Sequence, residues 1–218
     1  DIAPAALNAA RFLITAVVLS GLAMVIGSRG FQRSDFRAPW RYLLLGAIFA
    51  GYFVLMFEAL KTAPPVTMGA VFTLTPLLTA GFAWLLLRQI LSGWMALALA
   101  IGAAGAVWVI FGGDLPALMA MDLGRGEAIY FIGCALHAAF TPLLRRLNRG
   151  EPALVITSLV MTAGFLVLVV YGWSDLRATE WRTLSPLIWV TLFYLALAAN
   201  ALTVVLLQFA GQRLPSSK

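Results

Sequence analysis

The chain has 218 residues, of which 62% are hydrophobic and 11% charged, with a mean hydropathy of +0.94. Ordinary soluble domains carry about 25% charge and about 45–50% apolar residues, so a soluble fold would leave long oily runs with no water-facing side. That composition excludes a soluble globular domain. The net charge of +6 lies in short arginine clusters between apolar runs, which suits loops that orient membrane spans and not a nucleic-acid face.

A helix needs about 20 mostly apolar residues to cross a bilayer. Seven stretches qualify: 6–28, 42–60, 66–87, 93–112, 127–144, 154–173 and 187–208. They are too long, and too little alternating, for the strands of a membrane barrel, so an all-α integral membrane protein of seven transmembrane helices is predicted. The chain opens at Asp1 without a basic leader, so the first apolar run is expected to be a span and not a signal peptide. Arg11 sits a turn or two inside the outer boundary of that run and is expected to snorkel to the interface.

The 29–41 loop follows, with Arg29, Arg33, Arg37 and Arg41. If it is cytoplasmic, strict alternation of the spans also puts Arg88, Arg145, Arg146, Arg149, Arg213 and Lys218 inside. Ten basic residues then face the cytoplasm, and four (Lys61, Arg125, Arg177 and Arg182) face outward, which supports the alternation. Glu58 and Lys61, at the outer end of the second span, read mainly as an interfacial pair, with substrate gating as the other reading.

The third span, "TAPPVTMGAVFTLTPLLTAGFAWLLL" with its approach, places Gly69, Thr73, Pro76, Ala80 and Ala83 on one small face. Pro76 frees the Phe72 carbonyl one turn earlier, and Thr73 and Thr75 are placed to satisfy it. The result is either a loosened gating helix or a tolerated membrane proline. The fourth span repeats small residues at Ala98, Gly102 and Ala106, most simply as a packing face. In the fifth span, Tyr130, Cys134, His137 and Thr141 recur every three or four residues and form one polar stripe. Polar side chains in hydrocarbon line a cavity or bridge to another helix, and either reading fits here. The loops at 113–126 and 174–186 carry mixed charge and no ligand cluster.

Offsetting the sequence by 151 positions lays 42–64 on 193–215, matching Leu44, Ala47, Ala50 and Pro64 with Leu195, Ala198, Ala201 and Pro215. The charge assignment runs the two copies in opposite directions across the membrane, an inverted repeat of the kind that builds transporter sites. Tyr52 then corresponds to Thr203 and Phe49 to Asn200, so Asn200 and Thr203 form a polar pair that serves as either site or helix glue. After Pro64 the first copy enters the proline-bearing span, whereas the second stops at Lys218. The chain is therefore expected to be a fragment, lacking at least one span at its end and one at its start.

The segments "LNAARFLITAVVL", "FEALKTAPPVTMGAVFTLTPLLTAGFAWLLLRQILSGWMALALAIGAAGAVWVI" and "ALHAAFTPLLRRL" resemble the EamA branch of the drug/metabolite transporter superfamily, most specifically from Phe57 to Ile110. The resemblance implies ten spans in two inverted five-helix repeats and alternating access for small metabolites. Residues 1–112 would be the remainder of the first repeat, with four spans, and 127–218 the start of the second, with three. Two positions depart from the family pattern: Arg88 stands where an acidic residue is usual, and His137 where tryptophan is common.

His137 is the only histidine and Cys134 the only cysteine, so neither a histidine-based metal site nor an internal disulfide is available, and no cofactor is expected. The leading expectation is a secondary transporter, not an enzyme, of the bacterial inner membrane. It would export small metabolites or amino acid-like compounds, driven by a coupling ion or by exchange, with the lipid bilayer and the substrate as its partners and no nucleic acid. The candidate pathway residues are Tyr52, Thr73, Thr75, Pro76, Tyr130, His137, Thr141, Asn200 and Thr203. The alternative is a membrane enzyme or accessory subunit acting on lipid-linked substrates, which would depend on His137 or Cys134.

Overall fold

The computed structural model describes residues 2–27, 29–90, 92–120, 124–203 and 206. In chain order the helices are α1 (Pro4–Val25), α2 (Trp40–Ala59), α3 (Pro65–Phe72), α4 (Thr75–Leu87), α5 (Gly93–Ile110), α6 (Leu115–Ala120), α7 (Arg125–Leu147), α8 (Ala153–Tyr171), α9 (Trp173–Ala178) and α10 (Pro186–Tyr194). A 3-10 turn at Arg33–Arg37 precedes α2, and a π-helical stretch, Leu195–Leu202, continues α10. No strand occurs among the described residues.

Local chemistry sets several of these boundaries. Pro4, Pro65 and Pro186 open α1, α3 and α10, where a missing N–H costs nothing and the fixed φ favours the first turn. Ser92 caps α5 by accepting a hydrogen bond from the Met95 N–H at 3.3 Å. Pro76 falls at the second position of α4, and Thr73 and Leu74 join α3 to α4 through a tightened turn with helical dihedrals.

Six helical segments among the described residues are long and apolar enough to cross a membrane, with Pro65–Leu87 counted as one. They coincide with six of the seven predicted spans. The seventh, predicted at 187–208, is described as the shorter apolar helix Pro186–Leu202, and most of its remainder lies outside the described residues.

The described residues divide into two compact units, Asp1–Ala50 with Asn148–Lys218, and Gly51–Leu147. In the first, α1 lies along α8, and glycines let backbones meet. A Cβ at Gly46 would stand 2.5 Å from the Gly164 nitrogen, and one at Gly164 would stand 2.6 Å from the Phe12 ring. Only glycine tolerates that approach, which is how membrane helices gain packing energy without a hydrophobic drive. Phe12, Leu19, Leu45, Val155, Ile156 and Leu168 fill the interior around this seam.

In the second unit, the C-terminal half of α2 packs on α7. A Cβ at Gly126 would collide with Ala63 at 2.6 Å, and one at Gly133 would press on Leu55 at 3.3 Å. These contacts seat α7 deeply enough for its polar stripe to meet α2 and α3. Pro142 lies inside α7, one residue after Thr141.

Candidate functional site

Within the second unit, Tyr52, Ala59, Ala63, Met68, Val71, Tyr130 and Cys134 form one buried cluster. Its polar centre is the Tyr52–Tyr130 pair, whose hydroxyls lie 3.3 Å apart, with either able to donate. The His137 ring packs on Tyr52 at 4.6 Å between centroids and on Phe72 at 5.8 Å. Tyr52 also meets Phe53 edge-on at 4.8 Å. Offset and tilted pairs of this kind add about 0.5–1.5 kcal/mol each beyond area burial.

The stripe read from the spacing of α7 is thus three residues deep. Tyr130 and Cys134 are buried, His137 is half-buried, and Thr141 is exposed at the far end. Thr75 turns its hydroxyl toward the Cys134 thiol and makes no well-formed hydrogen bond among the described residues. Cys134 itself is 0% exposed.

Thr73 and Pro76 are exposed at the α3–α4 turn. The Thr73 hydroxyl donates to the Ala70 carbonyl at 2.7 Å, not to the Phe72 carbonyl that Pro76 leaves unpaired within the helix. Its backbone N–H reaches Gly69 and Ala70, so the last turn of α3 tightens and ends there. Phe72, absent from the sequence-derived set, completes the aromatic wall beside His137. Nothing in the local sequence distinguishes it from neighbouring apolar residues.

Asn200 and Thr203 belong to the first unit. The Asn200 amide donates to the Thr15 hydroxyl at 3.3 Å, and Thr15 in turn donates to the Arg11 carbonyl at 2.9 Å. The Thr15 hydroxyl is also 3.3 Å from the Ala196 carbonyl, within the π-helical stretch. Asn200 therefore bridges helices here, while Thr203 is exposed and donates to the Ala198 carbonyl at 3.3 Å. Single-turn π geometry recurs at functional sites because it leaves backbone groups open to side chains. Arg11 is 7% exposed and lies over the Phe12 ring at 5.5 Å.

Three acidic residues outside the sequence-derived set, Asp35, Glu127 and Glu151, are buried among the described residues. Glu127, in the first turn of α7, accepts a hydrogen bond from the Thr67 hydroxyl at 3.0 Å and benefits from the positive end of the helix. Glu151, just before α8, accepts from the Arg41 guanidinium at 2.8 Å, the Tyr42 hydroxyl at 3.1 Å and the Arg149 N–H at 2.6 Å. Burial pushes the Glu151 carboxyl up, but the Arg41 guanidinium and these other donors hold it below its ordinary value. The Asp35 carboxyl is likewise lowered, chiefly by the Arg29 guanidinium, against the effect of burial. Arg41, counted among the loop charges, is thus committed to a buried ion pair. Glu58 and Lys61 pair at 2.5 Å with both side chains well exposed.

Helices of membrane-spanning length, glycine-seated packing and a hydroxyl-and-imidazole cluster inside an apolar unit define a multi-pass membrane protein with a polar interior site. Residues 1–111, just over half of the chain, match the EamA-like transporter family, and the chain belongs to that family. Its setting is the plasma membrane. The chain is 26% identical over 201 residues to a Bacillus subtilis (strain 168) protein called "Uncharacterized transporter YyaM". That alignment covers 91% of this chain and 65% of the relative, so the chain spans just under two-thirds of the relative's length. A solved structure described only as "Crystal structure of protein" shares the fold, with a TM-score of 0.68 at 20% identity over 98% of this chain and 71% of that one.

Proposed function

We propose that the protein is a secondary active transporter that exports small metabolites or amino acid-like compounds by alternating access, driven by an ion gradient or by exchange. The observation that carries this reading is the Tyr52–Tyr130–His137 cluster: hydroxyls 3.3 Å apart and an imidazole stacked at 4.6 Å, set inside a membrane unit. Polar groups in hydrocarbon are costly, and the usual return for that cost is a substrate or ion pathway. The adjoining Thr73–Leu74 turn, where bonding tightens onto Ala70 and Val71 and Pro76 offers no N–H, is read as a hinge. In this reading Tyr52, Tyr130, His137 and Thr75 contact or orient the substrate, Thr73 and Pro76 serve the hinge, and Thr141 lines one end of the pathway. Asn200 and Thr203, in the first unit, are the remaining candidate pathway residues, with Asn200 held by Thr15. Residues 1–112 and 127–218 are read as parts of two inverted repeats.

The test is transport by the whole protein in proteoliposomes across a panel of amino acids and related metabolites. Saturable, gradient-dependent uptake that falls at least tenfold in His137→Leu, with folding intact, supports the reading. Flux that is unsaturable and gradient-independent for every compound overturns it.

A further inference from the structure

One exposed side of α4 carries a groove of about 400 Å³ lined by Leu77, Ala80, Gly81, Trp84, Gln89 and Ile90. Its walls are almost wholly apolar along most of their length. Small residues at Ala80 and Gly81 make its floor, and a Cβ added at Gly81 would meet nothing within 4 Å. Trp84 is 63% exposed and Ile90 90%, so large apolar side chains line an unfilled trough.

Charge gathers at one end of this slot. Arg88 ends α4 in a left-handed conformation, φ 54°, which for a non-glycine residue costs about 1–2 kcal/mol. The turn is held by the Arg88 N–H on the Trp84 carbonyl at 2.9 Å and the Gln89 N–H on the Ala83 carbonyl at 3.3 Å. From the last turn of α7, the exposed Arg146 donates to the Leu86 carbonyl at 3.2 Å, which ties its guanidinium to the same rim. Arg145 is exposed beside it. None of the three has a carboxylate partner among the described residues. The charge distribution of the loops assigns this end to the cytoplasmic leaflet, where anionic lipids gather.

An apolar trough whose arginines at one end lack a carboxylate partner among the described residues matches one amphiphile. We propose that this groove binds an anionic phospholipid, its acyl chain along Ala80 and Gly81 and its phosphate on Arg88 and Arg146. Basic pockets at the cytoplasmic ends of transmembrane helices recognise such headgroups by charge-assisted hydrogen bonds. The proposal is independent of what the protein transports.

Native mass spectrometry of the whole protein, released from mixed phosphatidylglycerol and phosphatidylcholine vesicles, tests it. Phosphatidylglycerol should be retained in preference. Each of Arg88→Asn and Arg146→Gln should weaken retention about fivefold, the effect of one juxtamembrane cation. Asn tolerates the left-handed turn, so Arg88→Asn keeps the backbone. Gly81→Leu, which the open space accommodates, should abolish retention by filling the slot. Arg33→Gln and Arg37→Gln, on the same predicted side but remote in sequence, should leave it unchanged. Equal retention of the two lipids, or equal loss in the Arg33 and Arg37 variants, overturns the proposal. So does a disulfide from Gly81→Cys to a cysteine in another protein segment or a second copy, because the slot would then be covered by protein.

Discussion

Tyr52 and Tyr130, 78 positions apart in the chain, meet hydroxyl to hydroxyl at 3.3 Å in a cluster where they are only 7% and 5% exposed. One proton lies between two buried oxygens, so the two tyrosines share one hydrogen bond. Deleting either hydroxyl removes that bond, which costs about 1 kcal/mol, and deleting the second removes nothing more of it.

Tyr52→Phe and Tyr130→Phe should therefore each destabilise the protein by about 1 kcal/mol, and the double variant should cost less than the two singles combined. Thermal unfolding of the four proteins in one detergent measures the coupling. Strict additivity would mean that the two hydroxyls do not share a bond.

Glycine positions divide into two kinds. A Cβ at Gly46 would lie 2.5 Å from the Gly164 nitrogen, whereas one at Gly102 or Gly105 meets nothing within 4 Å. Gly46→Ala and Gly164→Ala should destabilise by about 1–3 kcal/mol through forced backbone separation. Gly102→Ala and Gly105→Ala should be neutral or stabilising by up to about 1 kcal/mol, because alanine is the better helix former. A melting series ranks them, and a harmless Gly46→Ala would disprove the close seam.

The difference between these two glycine classes was not legible in the sequence, and the reason is general. Periodicity of three and four residues brought Tyr130, Cys134 and His137 onto one face, since that follows from helix geometry alone. What the face meets depends on long-range packing, so Phe72 beside His137 and Thr15 beside Asn200 emerge only from the fold. Pro76 is legible as the loss of one backbone donor, but the tightened turn draws the Thr73 hydroxyl back to the Ala70 carbonyl, which the sequence does not show. Loop arginines were legible as a charge bias. Arg41 left that pool because Glu151, 110 residues away, sits within 2.8 Å of it.

The Asn200–Thr15 bridge offers a third measurement. Interhelical hydrogen bonds inside membrane proteins contribute about 0.6 kcal/mol on average and at most about 1.7 kcal/mol. Asn200→Leu and Thr15→Val should each cost an amount in that range and show coupling in the double variant. A Thr15→Val change that leaves stability untouched would mean the bridge contributes nothing.

Arg41 and Glu151 present the largest stake, with side chains only 2% and 3% exposed. Removing one member of a buried pair leaves an uncompensated charge and costs about 3–5 kcal/mol, so Glu151→Gln should be severe, and Arg41→Met with Glu151→Met together milder than either alone. The pH dependence follows from the direction of the shifts. Both Glu151 and Asp35 are held below their ordinary values in the folded protein, so the unfolded chain takes up protons first as the pH falls. The stability from these two groups is fully present above the ordinary carboxylate range, about pH 4 to 5, and drains away as pH falls through the lower folded values. Melting temperature should be flat from about pH 7 to about pH 5 and decline below that, with a shallower decline in Glu151→Gln because one of the two titrating groups is gone. A wild-type profile that does not fall on acidification, or one whose slope Glu151→Gln leaves unaltered, would remove the ion pair from any role in holding the first unit together.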